Sequence, residues 1–268
     1  MNCVFCKQSS NNSKSVEHIV PESLGNTRYI LPKGIVCDKC NQYFAVKIEQ
    51  HLLEIPFFKS SRHRLNIVSK KGEIPPDKGF SISPKSEVEF HKSKKGEKSV
   101  SFKETNAVKK IQSRNKVEVL IPVFAKADHN NVYLSKFLGK LAIEALALSS
   151  LEKKLNLDDE VNIECLEPLK KYVRASHKNE FWPYYERILF TPEQGFLDSE
   201  NEFQRIIFSM KFIYTEEKFL FHQFLLFGTE YTIDLTNRTN ETIFNWLSNN
   251  NFRSPVLESA IMSANYEF

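Results

Sequence analysis

Glycine is scarce in this chain, and its scarcity removes one class of function at once. The 8 glycines among 268 residues nowhere gather into the glycine-rich turn that cradles a nucleotide's phosphates, which argues against nucleotide binding of that type. Long apolar runs are also missing. No stretch approaches the roughly 20 residues that a membrane-spanning helix needs, and Met1-Asn2-Cys3 begins a cysteine pair where a secretory leader would lie, so a cytoplasmic protein without membrane attachment is expected. No internal repeat is visible. Cysteine is sparse too: of 5 in the chain, only Cys165 stands outside two close pairs. A composition of 41% hydrophobic and 26% charged residues is ordinary for a soluble protein, and the length suffices for a substantial core in two domains.

What is present is concentrated near the amino terminus. Cys3 and Cys6 form one Cys-x-x-Cys knuckle and Cys37 and Cys40 another, together the four thiolates of a closed tetrahedral structural zinc site. Two disulfides are the alternative use of four cysteines. Close pairs in a chain without a secretion signal favour the metal. The gap between the knuckles exceeds that of a simple zinc ribbon, and it contains Glu17-His18-Ile19-Val20-Pro21.

Glu17-His18-Ile19-Val20-Pro21 followed by Cys37-Asp38-Lys39-Cys40-Asn41 resembles the HNH endonuclease family, in its zinc-stabilised branch. The resemblance covers about the first fifty residues. It implies a ββα-metal fold, in which a hairpin and one helix grip a divalent ion that meets the scissile phosphate. By that resemblance His18 matches the general-base histidine, Glu17 the carboxylate ligand beside it and Asn41 the helix-borne ligand. The family's middle asparagine has its nearest counterpart in Asn26.

Those residue types suit the chemistry. Hydrolysis of a phosphodiester needs a base that exchanges protons near neutrality, and histidine is the side chain whose unperturbed pKa lies there. It also needs a hard cation, Mg²⁺ or a similar ion, bound by few protein oxygens so that coordination positions remain for the phosphate. Glu17 and Asn41 supply those oxygens. Neighbours on a regular strand point to opposite faces, so one of Glu17 and His18 is expected at a strand end or bulge. Because Asn41 directly follows Cys40, the zinc knuckle fixes the start of the helix that carries it. Asparagine is equally a common helix N-cap, and Glu49 and His51, further along that helix, fit either a supporting role or a solvated face.

Past the knuckle, Phe44, Ile48 and Leu52 recur at steps of four and predict a helix over 41–53, ended by Pro56. From Lys59 to Lys116 there are 16 lysines and arginines against 6 acidic residues, while the whole chain has a net charge of +4. Segregated positive charge beside a nuclease motif suits a polyanion. The run Lys92 to Lys98 also fits a solvated hairpin tip. Residues 80–83 and 100–102 alternate as short strands, with Pro75-Pro76 and Lys95-Gly96 as turns.

Val117 to Phe124 is a strand candidate, and Val132 to Leu155 is expected as the central helix of a second domain, with Leu134, Phe137, Leu138, Leu141, Ala142, Ala145 and Leu148 at helical spacing. Lys136, Lys140 and Glu144 run along another face, expected to be solvated. A short helix is expected over 165–175. The aromatic cluster Phe181-Trp182-Pro183-Tyr184-Tyr185 reads as packing more readily than as a base-stacking surface. Residues 206–214, 218–227 and 230–235 predict an antiparallel meander, and 242–248 a final short helix.

The expectation is an α+β protein: a zinc-braced HNH domain at 1–58, a basic β-rich segment at 59–116, and an α+β domain at 117–268 with a long core helix on an antiparallel sheet. Its reaction would be metal-dependent cleavage of nucleic acid, DNA before RNA. The C-terminal domain could carry a homodimer or protein contact, and a stand-alone nuclease suggests restriction or anti-phage defence by analogy alone. Two other classes remain open: a frame that binds nucleic acid without cutting, and a zinc module that braces an interaction surface.

Overall fold

Apolar side chains four residues apart share one helical face, and Phe44, Ile48 and Leu52 are all buried along a single helical run. The computed structural model describes residues 1–112, 117–175, 180–198 and 200–264. The run begins as the α-helix Asp38–Phe44, widens to a π-helical turn at Ala45–Glu49 and closes as Gln50–Glu54. Pro56, expected as its stop, opens the next helix, Pro56–Arg64. Proline's missing N–H costs nothing in a first turn.

The chain divides into two compact units, one made of residues 1–21, 26–52 and 128–268, the other of 22–25 and 53–127. This differs from the expected cuts after 58 and 116. The zinc segment and the C-terminal region form one unit because the long helix Val132–Glu152 packs against both the strand Ile30–Leu31 and the π-helical turn. A segment of about fifty residues buries little apolar surface alone, and the helix adds to its core.

In this first unit, strands Glu17–His18 and Ile30–Leu31 pair antiparallel, with Glu17 opposite Leu31 and His18 opposite Ile30. Asn131 caps the long helix, its side chain accepting from the backbone N–H of Tyr133 and Leu134 at 3.0 and 3.1 Å. Helix Glu167–Ala175 lies against it at Gly139, where an added Cβ would stand 2.8 Å from Val173 and 2.9 Å from Leu169. The expected meander is there, as Phe208–Tyr214, Leu220–Leu226 and Thr229–Asp234, and Tyr185–Ile188 adds a fourth antiparallel strand beside the last of these. Every residue of the two central strands is buried. Phe224 meets Phe137 of the long helix on one face, while Phe221 packs with Ile243, Leu247 and Trp246 of helix Glu241–Asn249 on the other. The aromatic cluster is packing: Trp182 is buried and donates its indole N–H to the Asp234 carbonyl at 2.8 Å. Helix Pro255–Ala264, not expected from the sequence, packs on strands 208–214 and 220–226.

The second unit is a four-stranded antiparallel sheet in the order Lys98–Phe102, Lys85–Lys92, Asp77–Ile82, Val119–Leu120. Only two residues of the expected strand 117–124 pair, and their partners Phe80 and Ser81 place them in this sheet. Helix Pro56–Arg64 is tied to it by the Ser60 hydroxyl donating to Asp77 at 3.0 Å. The run from Lys92 to Lys98 is a hairpin tip, closed by Ser93 N–H to the Glu97 carbonyl at 2.9 Å. Arg114 and Lys116 of the basic surplus lie outside the described residues.

Candidate active site

The two knuckles converge. The Sγ atoms of Cys3, Cys6, Cys37 and Cys40 all lie within 4.8 Å of one another, and those of Cys6 and Cys37 are 3.6 Å apart. Sulfurs bound to one tetrahedral zinc at about 2.3 Å stand about 3.8 Å from each other, so the donor set fits that ion. The sulfurs compete for protons: a hydrogen bond from Cys40 holds the Cys3 thiol at about 4, and the same contact, with burial, pushes Cys40 well up. A dication among them would remove that competition by taking all four as thiolates. Arg174 donates from Nε to the Cys40 sulfur at 3.1 Å and lies over the Tyr43 ring at 4.9 Å.

The cluster sets the start of the helix carrying Asn41. Cys37 occupies the cap position, and the Asn41 N–H donates to its carbonyl at 3.0 Å. Asn41 is therefore inside the helix, which overturns the N-cap alternative. The Asp38 carboxylate in the first turn accepts from the backbone N–H of Lys14 and Ser15 at 3.1 and 3.0 Å, and a hydrogen bond from the Ser15 hydroxyl leads the contacts that hold it below the usual carboxylate range. That strap delivers the chain to Val16, whose carbonyl accepts from Asn41 Nδ2 at 3.0 Å. A carboxamide whose nitrogen is engaged in this way keeps its oxygen on the other branch, the atom a hard cation takes.

The hairpin holds Glu17 and His18. The Ile19 N–H to Tyr29 carbonyl bond of 3.1 Å extends its pairing. Asn26, buried, clasps the turn: its Nδ2 donates to the carbonyls of Val20 and Tyr29 at 2.7 and 2.9 Å, and its Oδ1 accepts from the N–H of Arg28 and Tyr29 at 2.9 Å each. Both donors and both acceptor positions go to backbone, so Asn26 shapes the hairpin and is no ligand. The strand is two residues long, so Glu17 and His18 each sit at one of its ends. Glu17 turns inward and His18 is half-buried.

Glu17 meets a residue for which the sequence suggested another role. Its Oε1 lies 2.6 Å from Nζ of Lys140, which also stands 2.9 Å from Glu49 Oε1 and 2.9 Å from Glu144 Oε2. Lys140 and Glu144 have side-chain exposures of 0%, which corrects the expectation of a solvated face. Lys136 is half-buried, its Nζ 5.8 Å from the Tyr172 ring. Burial alone would push the Lys140 ammonium down, but Glu144, Glu17 and Glu49 together hold it well above the usual lysine range. Burial likewise pushes the Glu144 carboxyl well above the carboxylate range, against the pull of Lys140. A signal for this existed. Lys140 and Glu144 stand in KLAIEALAL, a segment apolar on every side, and a charged pair in an all-round apolar helix is buried with partners. Glu49 thus joins the cluster. His51 does not; its ring stacks on Tyr133 at 4.4 Å.

Among the described residues no helix is long and apolar enough to cross a membrane. No curated protein and no solved structure matches the chain. A family model does match part of it: residues 3–55, from the first knuckle cysteine through the helical run, fit the family described as HNH endonuclease, and this segment is an HNH domain braced by a four-cysteine cluster.

Proposed function

We propose that the protein is a metal-dependent nuclease that hydrolyses phosphodiester bonds of nucleic acid, with DNA as the substrate the family resemblance favours. One observation carries the reading: the strand bearing Glu17 and His18 is hydrogen-bonded through Val16 to Asn41, on the helix that the four cysteines start. In this reading His18 takes the proton of the attacking water as its oxygen bonds to phosphorus and the bond to the leaving oxygen breaks. Glu17 and Asn41 would supply oxygens to Mg²⁺ or a similar cation. Such a cation would neutralise charge building on the phosphate and leaving oxygen. Two side-chain oxygens would leave coordination positions open for substrate and water.

The second unit suits a polyanion. Lys92, Lys94 and Lys98 line one concavity near its hairpin tip, and phosphate neutralisation by lysines supplies most non-specific affinity for nucleic acid. Phosphate contact of this kind carries no sequence information.

The purified protein, incubated with supercoiled plasmid, linear duplex, single strands and RNA across several divalent ions, is expected to cut a DNA form. His18→Ala is expected to lower cleavage by at least about a hundredfold with zinc content and fold unchanged. Near-wild-type nicking by that variant rejects the assignment of His18. Binding without cleavage in every ion would leave a nucleic-acid-binding frame instead.

A further inference from the structure

A hairpin of two paired positions is a weak support for a metal ligand. Isolated two-stranded hairpins are marginal in water even when longer, whereas a metal or catalytic site needs its groups held to about 0.5 Å. Something outside the hairpin must fix Glu17, and the cluster around Lys140 shows what does. An ammonium has three donors, and Lys140 directs its Nζ at three carboxyl groups on three elements: Glu17 on the strand, Glu49 on the π-helical turn and Glu144 on its own helix. The carbonyls of His18 and Ile19 each lie 3.4 Å from the same nitrogen, and the Phe44 ring, on the helix that carries Asn41, is 5.9 Å from it. One buried side chain therefore touches every element that the proposed chemistry uses.

We propose that Lys140 is a positioning residue of the nuclease site, fixing the Glu17 carboxylate and the His18 backbone for the catalytic ion, so that the site is complete only with the core helix in place. The inference rests on the nuclease reading for its purpose, but its geometry is tested separately. Lysine is suited to the task because a compact point charge can serve three carboxyl groups converging from different directions. Arginine's planar fork of donors cannot reproduce that arrangement. Losing such outer support around a metal site commonly costs about 10- to 100-fold in metal affinity or activity.

The test keeps charge constant and changes geometry. Zinc-loaded full-length protein, Lys140→Arg and Glu49→Asp are titrated with Mn²⁺, free ion being counted by electron paramagnetic resonance, with zinc content and thermal unfolding measured alongside. Glu17→Gln is the control that removes the ligand. We expect Lys140→Arg to weaken Mn²⁺ binding by about tenfold or more and to lower kcat by a similar factor. Glu49→Asp, which withdraws one partly exposed carboxylate by a methylene, should show a smaller loss in the same direction and decides the matter if the arginine variant does not fold. Binding and cleavage by the folded variants within threefold of the parent overturn the proposal and leave the nuclease reading standing. A parent that binds Mn²⁺ through Glu17, with affinity lowered in the variants, but cuts nothing upholds the positioning role and rejects the nuclease. A parent that neither binds Mn²⁺ nor cuts rejects both.

Discussion

Glu144 shows how far burial can shift a side chain's chemistry. With the carboxyl held well above its ordinary range by burial, the folded state retains a proton that the unfolded chain releases above about 4.5. Stability from this group is therefore complete below the unfolded pKa and is lost as pH rises toward the folded one. Glu144→Gln keeps the shape without the titration, so it should be more stable than the parent at neutral pH, with the advantage disappearing as pH falls below about 4.5. Denaturant midpoints of both proteins from pH 4 to 8 measure this, and parallel curves would refute it. Asn26 shows the converse case, in which partners rather than burial set the role. The family resemblance offered it as the nearest counterpart to a family asparagine, and its four hydrogen bonds to backbone make it a clasp.

At the scale of elements, the long helix is both scaffold and constraint. Gly139 lets helix Glu167–Ala175 approach closely, and a Cβ there would come within 3.0 Å of Val173 and Leu169. Alanine at that position gains about 1 kcal/mol of helix propensity, but overpacking costs about 1–3 kcal/mol, and the overlap wins because branched side chains within a packed interface cannot swing aside. Gly139→Ala should therefore lower Tm by a few degrees in calorimetry; a rise would show that the two helices separate at little cost. The strand Leu220–Leu226 carries a second liability in His222, wholly buried beside Phe212, its pKa lowered by burial to about 3. Below pH 6.5 the unfolded chain binds a proton there that the folded chain does not, so stability falls with pH from about 6.5 to about 3, by up to about 1.4 kcal/mol per pH unit. His222→Leu should flatten that part of the stability curve relative to the parent. An unchanged slope would place the acid sensitivity elsewhere.

At the scale of the molecule, the zinc segment shares one compact unit with the C-terminal sheet, and Arg174 and Lys140 carry that union in side-chain contacts. Removing zinc with a strong chelator should then lower the unfolding midpoint reported by Trp182 and Trp246, both beyond residue 180, as well as that of the first fifty residues. Fluorescence and near-ultraviolet dichroism during chelation test this, and an unaltered tryptophan transition would mean that the N-terminal segment unfolds alone.

The sequence by itself determined the local chemistry: four cysteines in two knuckles, a histidine and carboxylate between them, an asparagine on the following helix, and the apolar periodicities of the long helix and the meander. These patterns are legible because ligand spacing and helical or strand periods are short-range properties of the chain. Only the tertiary structure decided that Lys140 is the buried partner of both Glu17 and Glu144, that Asn26 is a clasp, and that the division between units runs near residues 52 and 127 instead of 58 and 116. Those outcomes depend on residues far apart in the chain meeting in space, Glu17 and Lys140 being 123 positions apart, and although the all-round apolar KLAIEALAL signals that its charged pair is buried, no short-range pattern encodes which residues will meet it.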